Sequence, residues 1–340
     1  MIDVPLLDCE QVTWAGAVSL AEDDGTPRGV VPWRLPYHQR AWFEPGLIEK
    51  AREAAGVRLR FRTASPTLSL RFEPVAQPND ELWRFDLVID GRTHACMSHP
   101  CRHGTLGFAD WAPGEHEFEL WLPQFGACRV LGLQIEPGHR CVAAPDPRPR
   151  WACYGSSITQ CRHASGPTTT WPALVAQRFG LNLTCLGFGG QCKLDPPVAR
   201  AIRDLPADYL SVCLGINVHG GDLTPRTFRP AAIGVLQTIR DGHPTTPLAC
   251  VSPIFCGPRE TAGQFPLAAV RDTLRSIVEL FQQHGDSHIH YISGLDVFGP
   301  DLAAHLPDQL HPDARGYELL AEGYARTVMP ALGLRARGEG

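Results

Sequence analysis

The spacing of apolar residues divides the chain into two parts with different periods. Between about residues 12 and 136, apolar and polar residues alternate, as at Val57 and Leu59 with an arginine between them. This period of two predicts half-buried β-strands. The pair Asp90-Gly91 supplies the positive φ angles of a tight hairpin between two such runs. Many short strands joined by turns are typical of a β-sandwich of the jelly-roll kind.

From residue 151 onward, short apolar runs alternate with longer stretches of helical period. Such alternation predicts a parallel β-sheet covered by helices on both faces and joined by right-handed crossovers. The five predicted strands are WACYG, LTCLG, DYLSVCLG, PLACVS and HIHYIS, and the helices that follow them are TWPALVAQRF, PPVARAIRDL and residues 225–241, 266–284 and 312–334. The second half is therefore expected to be an α/β domain with a five-stranded parallel sheet.

The two parts are expected to be separate domains joined at AAPDPRPR, residues 143–150. The three prolines of this segment cannot continue a central strand or a helix. We therefore expect a β-sandwich domain over residues 1–142, a linker over residues 143–150 and the α/β domain over residues 151–340.

The amino-acid composition limits the kinds of molecule that the protein is expected to bind. The formal net charge is −5, with 44% apolar and 20% charged residues. This balance lacks the basic excess that nucleic acid or an anionic membrane favours, so neither is expected as a partner. No run of 18 apolar residues and no basic leader pattern occurs, so no membrane or export segment is expected. The 12 cysteines are scattered through a large chain, which predicts reduced, mostly buried thiols and a cytoplasmic location.

Four short segments at or just beyond the predicted strands carry the candidate chemistry. They are Gly155-Ser156-Ser157, Gly187-Phe188-Gly189-Gly190, Gly215-Ile216-Asn217 and, just before the last helix, Asp308-Gln309-Leu310-His311. Ligands collect beyond the carboxyl ends of the strands in a parallel sheet, so these segments are expected to meet at one edge. Taken singly, each is more often a turn or a helix cap. Their common position favours an active site.

These segments contain the groups that nucleophilic catalysis by a serine requires. The hydroxyl of Ser157 is the candidate nucleophile, and His311 is the candidate general base and then general acid. Asp308 is expected to fix the tautomer of the imidazole and to stabilise the imidazolium. The backbone N–H groups of Ser157 and Gly190 and the side-chain amide of Asn217 are expected to bind the oxyanion.

The same segments resemble the four sequence blocks of the SGNH or GDSL hydrolase superfamily, which carry Ser, Gly, Asn and His in this chain order. GSSIT is similar to the family's GDSIT, NLTCLGFGGQ to its glycine block, LGIN to its third block and DQLHPD to its last. The resemblance extends from about Trp151 to Met329. It implies the SGNH-hydrolase fold, the catalytic roles given above and no bound cofactor or metal.

The resemblance also implies an activity. A β-sandwich ahead of an SGNH domain, similar to a carbohydrate-binding module, resembles the layout of carbohydrate esterases. It also resembles the layout of GDSL acyltransferases of the kind that form salicylate esters in tetracycline biosynthesis. We therefore expect O-acyl transfer through an acyl-enzyme on Ser157, with an acyl-CoA or other acyl ester as donor. Either water or a hydroxyl of a sugar or natural product can be the acceptor; the sequence leaves this choice and the oligomeric state open.

Departures from the family pattern at three positions favour an alternative in which the protein binds a ligand and is not an enzyme. Ser156 and Val218 stand where the family usually has aspartates, and Cys185 stands where an asparagine is frequent. None of these positions supplies a proposed catalytic atom. The alternative is a catalytically silent protein with an SGNH fold that binds carbohydrate or another scaffold.

A metal or thiol enzyme is a further alternative. Cys96, His99, Cys101 and His103 offer the thiolates and imidazoles that zinc prefers. No second cysteine pair with suitable spacing follows, so no metal is expected.

Aromatic residues provide candidate substrate contacts. Trp33 and Trp42 lie in WRLPYHQRAWF, whose irregular pattern does not predict a strand, and Phe188 lies in the glycine segment. Exposed rings of this kind stack on sugars and polycyclic compounds. We expect most other tryptophans of the first half to be core residues.

Overall fold

The computed structural model describes residues 1–21, 29–75 and 81–337 and divides into two compact units. Within the described ranges, the first unit contains residues 1–41, 48–147 and 165–168, and the second contains residues 42–47, 148–164 and 169–337. Residues 144–149 form neither strand nor helix. The domain limits drawn from the sequence stay a prediction.

The first unit is an antiparallel β-sandwich, which confirms the fold that the alternating pattern predicts. Its strands are β1 (Ile2–Val4), β2 (Thr13–Ala15), β3 (Ser19–Ala21), β4 (Val31–Trp33), β5 (Arg58–Thr63), β6 (Leu68–Pro74), β7 (Leu82–Ile89), β8 (Arg92–Pro100), β9 (Gly104–Phe108), β10 (His116–Trp121), β11 (Cys128–Ile135) and β12 (Cys141–Ala143). The helix α1 (Pro45–Ala51) follows β4.

Two sheets form the sandwich. One has four strands in the order β1-β11-β6-β9, and the other has six, in the order β12-β5-β10-β7-β8 with β2 beside β5. The core contains the fully buried rings of Phe61, Phe72 and Phe85. Asp90 and Gly91 join β7 to β8 with φ angles of 50° and 79°, as their sequence predicts for a tight hairpin.

Strand β5 differs from a simple alternation of buried and exposed residues. Arg58 and Arg60, at polar positions of the pattern, are buried. Arg58 Nη2 lies 2.9 Å from Asp146 Oδ2, and Arg60 Nε lies 3.1 Å from Glu119 Oε1. Buried charges require such partners, so this side of the strand is covered by ion pairs instead of solvent.

The second unit is a parallel sheet with helices, in agreement with the predicted order of strands and helices. Its strands are β13 (Arg150–Gly155), β14 (Asn182–Gly187), β15 (Tyr209–Cys213), β16 (Leu248–Val251) and β17 (Ile289–Ile292), and its helices are α2 (Ser157–Gln160), α3 (Trp171–Phe179), α4 (Pro196–Asp204), α5 (Pro225–Gly242), α6 (Leu267–Gln283), α7 (Gly294–Val297) and α8 (Ala314–Ala331). The five strands lie in the order β14-β13-β15-β16-β17. All five strands are parallel, so their carboxyl ends lie at the same edge of the sheet. Strand β14 lies on one side of β13, and β15 lies on the other, so the loops after these three strands meet at that edge.

All 12 cysteines lie within the described residues and are free thiols. Only Cys9 and Cys96 among them are exposed. No helix in the described part of the chain combines the length and the apolar character needed to cross a membrane.

Candidate active site

The candidate nucleophile, Ser157, is the first residue of the one-turn helix α2. Strand β13 ends at Gly155, and the side chain of Ser156 caps α2 by accepting a hydrogen bond from the N–H of Ile158 at 3.2 Å. The first N–H groups of a helix lack intrahelical acceptors, so the N–H of Ser157 is available to a ligand. Ser156 is buried and Ser157 is half-buried. The capping role therefore falls to Ser156 and leaves the Ser157 hydroxyl for chemistry.

A tight turn before α8 holds the other two candidate catalytic residues. Asp308 Oδ1 accepts hydrogen bonds from the N–H of Leu310 at 3.0 Å and from the N–H of His311 at 2.7 Å. Gln309, the residue after Asp308, has a left-handed φ of 61°. Aspartate side chains commonly stabilise turns in this way. The turn leaves Asp308 Oδ2 for the imidazole of His311, whose Nδ1 lies 2.6 Å away.

A continuous chain of hydrogen bonds joins the three side chains. His311 Nε2 lies 2.8 Å from Ser157 Oγ, although 154 positions separate the two residues in the sequence. An ionised carboxylate can only accept, so the Asp308 contact places the ring proton of His311 on Nδ1. His311 Nε2 is then the atom that accepts the proton of the serine hydroxyl.

Asp308 is ionised at neutral pH. Burial opposes the charge, but hydrogen bonds from the His311 ring and from the backbone N–H groups of His311 and Leu310 outweigh it and lower the pKa of Asp308 to about 2. A carboxylate that stays charged can both orient the imidazole and stabilise the imidazolium.

Two of the predicted oxyanion donors lie in loops that contact each other. Gly190 has a left-handed φ of 71°, and no atom lies within 4 Å of the position that a Cβ would take there. Asn217 Oδ1 accepts a hydrogen bond from the N–H of Cys192 at 3.0 Å. This bond fixes the amide and leaves the two N–H donors of Asn217 Nδ2 for another acceptor. The role of these groups as oxyanion donors stays a prediction.

Helix α2 packs against the end of β14 because Gly187 has no side chain. A Cβ at Gly187 would collide with the backbone N of Gln160, which cannot move aside as a flexible side chain can. The side chain of Gln160 in turn accepts a hydrogen bond from the N–H of Gly189 at 2.8 Å. The glycine loop and the helix that carries Ser157 are therefore positioned together.

We expect Gly187→Ala to destabilise the protein by about 1–3 kcal/mol, the usual cost of overpacking, and to lower activity by displacing α2. The matched control is Gly234→Ala in α5, where nothing lies within 4 Å of the added Cβ and alanine is the better helix former. Urea unfolding measures both variants. Equal stabilities for the two would contradict the packing argument.

The aromatic candidates for substrate contact differ in exposure. Trp33 and Phe188 are 0% exposed, so the prediction that they contact substrate is corrected: both are core residues. The ring of Trp33 packs edge-on against Tyr37 at 5.0 Å, and Phe188 lies 6.3 Å from Tyr154. Trp42 is 72% exposed and stays a candidate.

The sequence analysis missed a second histidine beside the candidate base. The ring centroids of His163 and His311 are 6.2 Å apart in an edge-to-face arrangement. Burial lowers the pKa of His163, and the charges of His311 and Arg162 lower it further. His163 follows Ser157 by six residues and belongs to no recognisable motif. Nothing in the sequence therefore indicated that it lies beside His311.

The possible zinc ligands do not form a metal centre. His99 packs edge-on against Phe72 at 5.0 Å, Cys101 is buried and Cys96 is exposed. Among the described residues, no three or more His, Cys, Asp or Glu side chains are arranged to hold a metal ion.

Comparison with protein families identifies the class to which this fold and site belong. Residues 153–319 match the GDSL-like lipase/acylhydrolase family, and residues 12–131 match the SsfX3 N-terminal domain family. The chain belongs to the GDSL-like lipase/acylhydrolase family and is an acyltransferase or acyl ester hydrolase of the SGNH type. No curated protein sequence matches the chain.

Three solved structures have folds similar to that of this chain. The salicylyl-acyltransferase SsfX3 from a tetracycline biosynthetic pathway is 32% identical, with 95% of each chain covered and a TM-score of 0.86. A putative GDSL-like lipase from Bacteroides ovatus is 18% identical, with 96% of this chain and 99% of that chain covered and a TM-score of 0.77. A family two carbohydrate esterase from Cellvibrio japonicus is 14% identical, with 95% and 96% covered and a TM-score of 0.67. The last two similarities show a shared fold.

Proposed function

We propose that this enzyme transfers an acyl group from an ester donor to an oxygen acceptor through an acyl-enzyme on Ser157. The observation that carries the proposal is the hydrogen-bonded chain from Ser157 Oγ to His311 Nε2 at 2.8 Å and from His311 Nδ1 to Asp308 Oδ2 at 2.6 Å. A serine hydroxyl becomes a useful nucleophile when an oriented base accepts its proton.

The reaction proceeds in two halves. His311 Nε2 takes the hydroxyl proton as Ser157 Oγ bonds to the donor carbonyl carbon, and the N–H groups of Ser157, Gly190 and Asn217 bind the oxyanion. The tetrahedral intermediate then expels the alcohol or thiol of the donor, which receives the proton from His311. In the second half, the acceptor gives its proton to His311 and attacks the acyl-serine, and the proton returns to Ser157.

We propose a hydroxyl group of a small molecule as the acceptor and an acyl-CoA or other acyl ester as the donor. The identity of 32% over 95% of both chains with a salicylyl-acyltransferase supports this choice. Water competes for the same acyl-enzyme, so transfer requires that the bound alcohol exclude water from the acyl-serine.

A fluorophosphonate probe tests the acyl-enzyme. We expect the probe to label wild type at Ser157 and to leave Ser157→Ala unlabelled. Ser156→Ala is the matched control, because it removes a helix cap worth about 1 kcal/mol and keeps the nucleophile. Wild type that stays unlabelled would favour the catalytically silent binding protein.

The fate of the acyl group tests the acceptor. Wild type is incubated with para-nitrophenyl acetate and a series of small alcohols and phenols, and the products are separated by chromatography. We expect acetylated alcohol to form at the expense of acetate. Rapid turnover to acetate alone with every alcohol would identify an esterase.

A further inference from the structure

An arginine lies beside the turn that carries the candidate catalytic residues. Arg259 belongs to the one-turn 3-10 helix Gly257–Glu260, after β16. Its Nη1 donates to the carbonyl oxygen of Gln309 at 3.5 Å, and Gln309 stands between Asp308 and His311 in the chain. A Cβ on Gly257 would lie 3.5 Å from Gln309 Oε1, so the two turns are in contact at a second point.

The charge of Arg259 is not neutralised by the acidic residue next to it. Glu260 is bound by Arg271, whose Nη1 and Nη2 lie 2.5 Å and 2.8 Å from its two carboxylate oxygens. The N–H of Cys256 donates to Glu260 Oε1 at 3.0 Å. With both of its oxygens occupied, Glu260 forms a structural pair with Arg271.

The guanidinium of Arg259 has more N–H donors than the described contacts use. Within residues 1–21, 29–75 and 81–337, its polar contact is the bond to Gln309, which is long for a hydrogen bond and exposed. A guanidinium carries five N–H donors in a planar fork. Arg259 is half-buried, and the bond to Gln309 uses only one of these donors, so the others remain for a ligand beside the turn that carries Asp308 and His311.

The surroundings of His311 carry further positive charge. Arg162 lies close enough to His163 to lower its pKa, and His163 packs against His311. The negative charge nearby belongs to Asp308, but its oxygens already accept hydrogen bonds from the His311 ring and from the backbone of Leu310 and His311. Asp308 is thus engaged by His311 and its own turn and does not pair with Arg259.

We propose that Arg259 binds a carboxylate of the substrate while the ester group lies at Ser157. A guanidinium fork matches the two oxygens of a carboxylate and forms charge-assisted hydrogen bonds with them. The substrate is therefore an anionic ester, with its charge on either the acyl group or the alcohol. This inference rests on the proposed acyl transfer at Ser157 and adds the chemical class of the substrate.

Three esters test the inference. Para-nitrophenyl acetate is neutral, the para-nitrophenyl monoester of glutaric acid carries its carboxylate on the acyl group, and para-acetoxybenzoate carries it on the leaving group. Steady-state kinetics is measured for wild type, Arg259→Gln and Arg259→Lys. The matched control is Arg203→Gln, because Arg203 lies at the end of α4 and is engaged by Asp204 at 2.7 Å and 3.0 Å.

We expect Arg259→Gln to raise the KM of at least one anionic ester about 10-fold or more and to change that of the neutral ester by less than about 2-fold. Arg259→Lys should recover part of the loss, because it keeps the charge without the fork. The affected ester shows whether the carboxylate belongs to the acyl group or to the alcohol. High salt should weaken the preference of wild type for that ester.

Two outcomes overturn the inference. In the first, Arg259→Gln changes the KM of all three esters by the same factor. In the second, the KM of wild type is no lower than that of the variant for either anionic ester. In both cases, turnover of the neutral ester and fluorophosphonate labelling of Ser157 leave the proposed acyl transfer intact. Loss of that labelling and turnover in wild type would instead refute the proposed function itself.

Discussion

Replacement of His311 with alanine is expected to lower kcat by a factor on the order of 10³ or more, with little change in folding. The reason is that Nε2, 2.8 Å from Ser157 Oγ, is the base within reach of the serine proton. Without it the hydroxyl must lose its proton to water. Because the side chain is partly exposed, its removal leaves no large cavity in the core.

The His311 variant is compared with His284→Ala by steady-state hydrolysis of an activated ester and by thermal unfolding. His284 lies at the end of α6, where its Nδ1 contacts the carbonyl oxygen of Leu280 at 2.8 Å, and it is expected to be dispensable for activity. Similar activities for the two histidine variants would remove His311 from the mechanism.

Asp308→Asn is also expected to lower kcat by a factor on the order of 10³ or more. The amide oxygen can still accept from the N–H groups of Leu310 and His311, so the turn is retained. The amide nitrogen then faces His311 Nδ1 and donates to it, which moves the ring proton to Nε2. In that tautomer the imidazole cannot accept the serine proton. Normal kcat in the variant would show that Asp308 does not set the tautomer.

The pH dependence of stability offers a second measurement on the same variant. The pKa of Asp308 in the folded protein is lowered to about 2, below that of an aspartate in the unfolded chain. Its ionisation therefore stabilises the fold fully above the unfolded-state pKa, and the effect is lost as pH falls towards 2. We therefore expect the difference in Tm between wild type and Asp308→Asn to shrink as pH falls from about 5 to 2. The difference should be small, because the Asp308 side chain is 52% exposed.

The sequence was sufficient for the fold of both halves and for the pairing of Ser157 with His311. Both depend on regular patterns: alternation identifies strands, and parallel strands bring their carboxyl ends to one edge. The bond between Asp308 and His311 is local, because only two residues of a turn lie between them. These features follow from the backbone.

Features that depend on the position of individual side chains could not be predicted in this way. Trp33 lies in an irregular segment that suggests exposure, yet it is fully buried. Arg58 occupies a polar position in an alternating strand, but Asp146, which is 88 residues away, makes its burial possible. Arg259 belongs to a loop without a motif, and only the tertiary structure brings it to Gln309.

The buried thiols have a consequence for chemical selectivity. Burial raises the pKa of Cys153 and Cys161 well above the usual range and that of Cys192 to about 12. A protonated thiol is a poor nucleophile, so these sulfur atoms do not compete for an electrophile at neutral pH. We therefore expect an activated carbonyl to acylate the hydroxyl of Ser157 in preference to these three thiols.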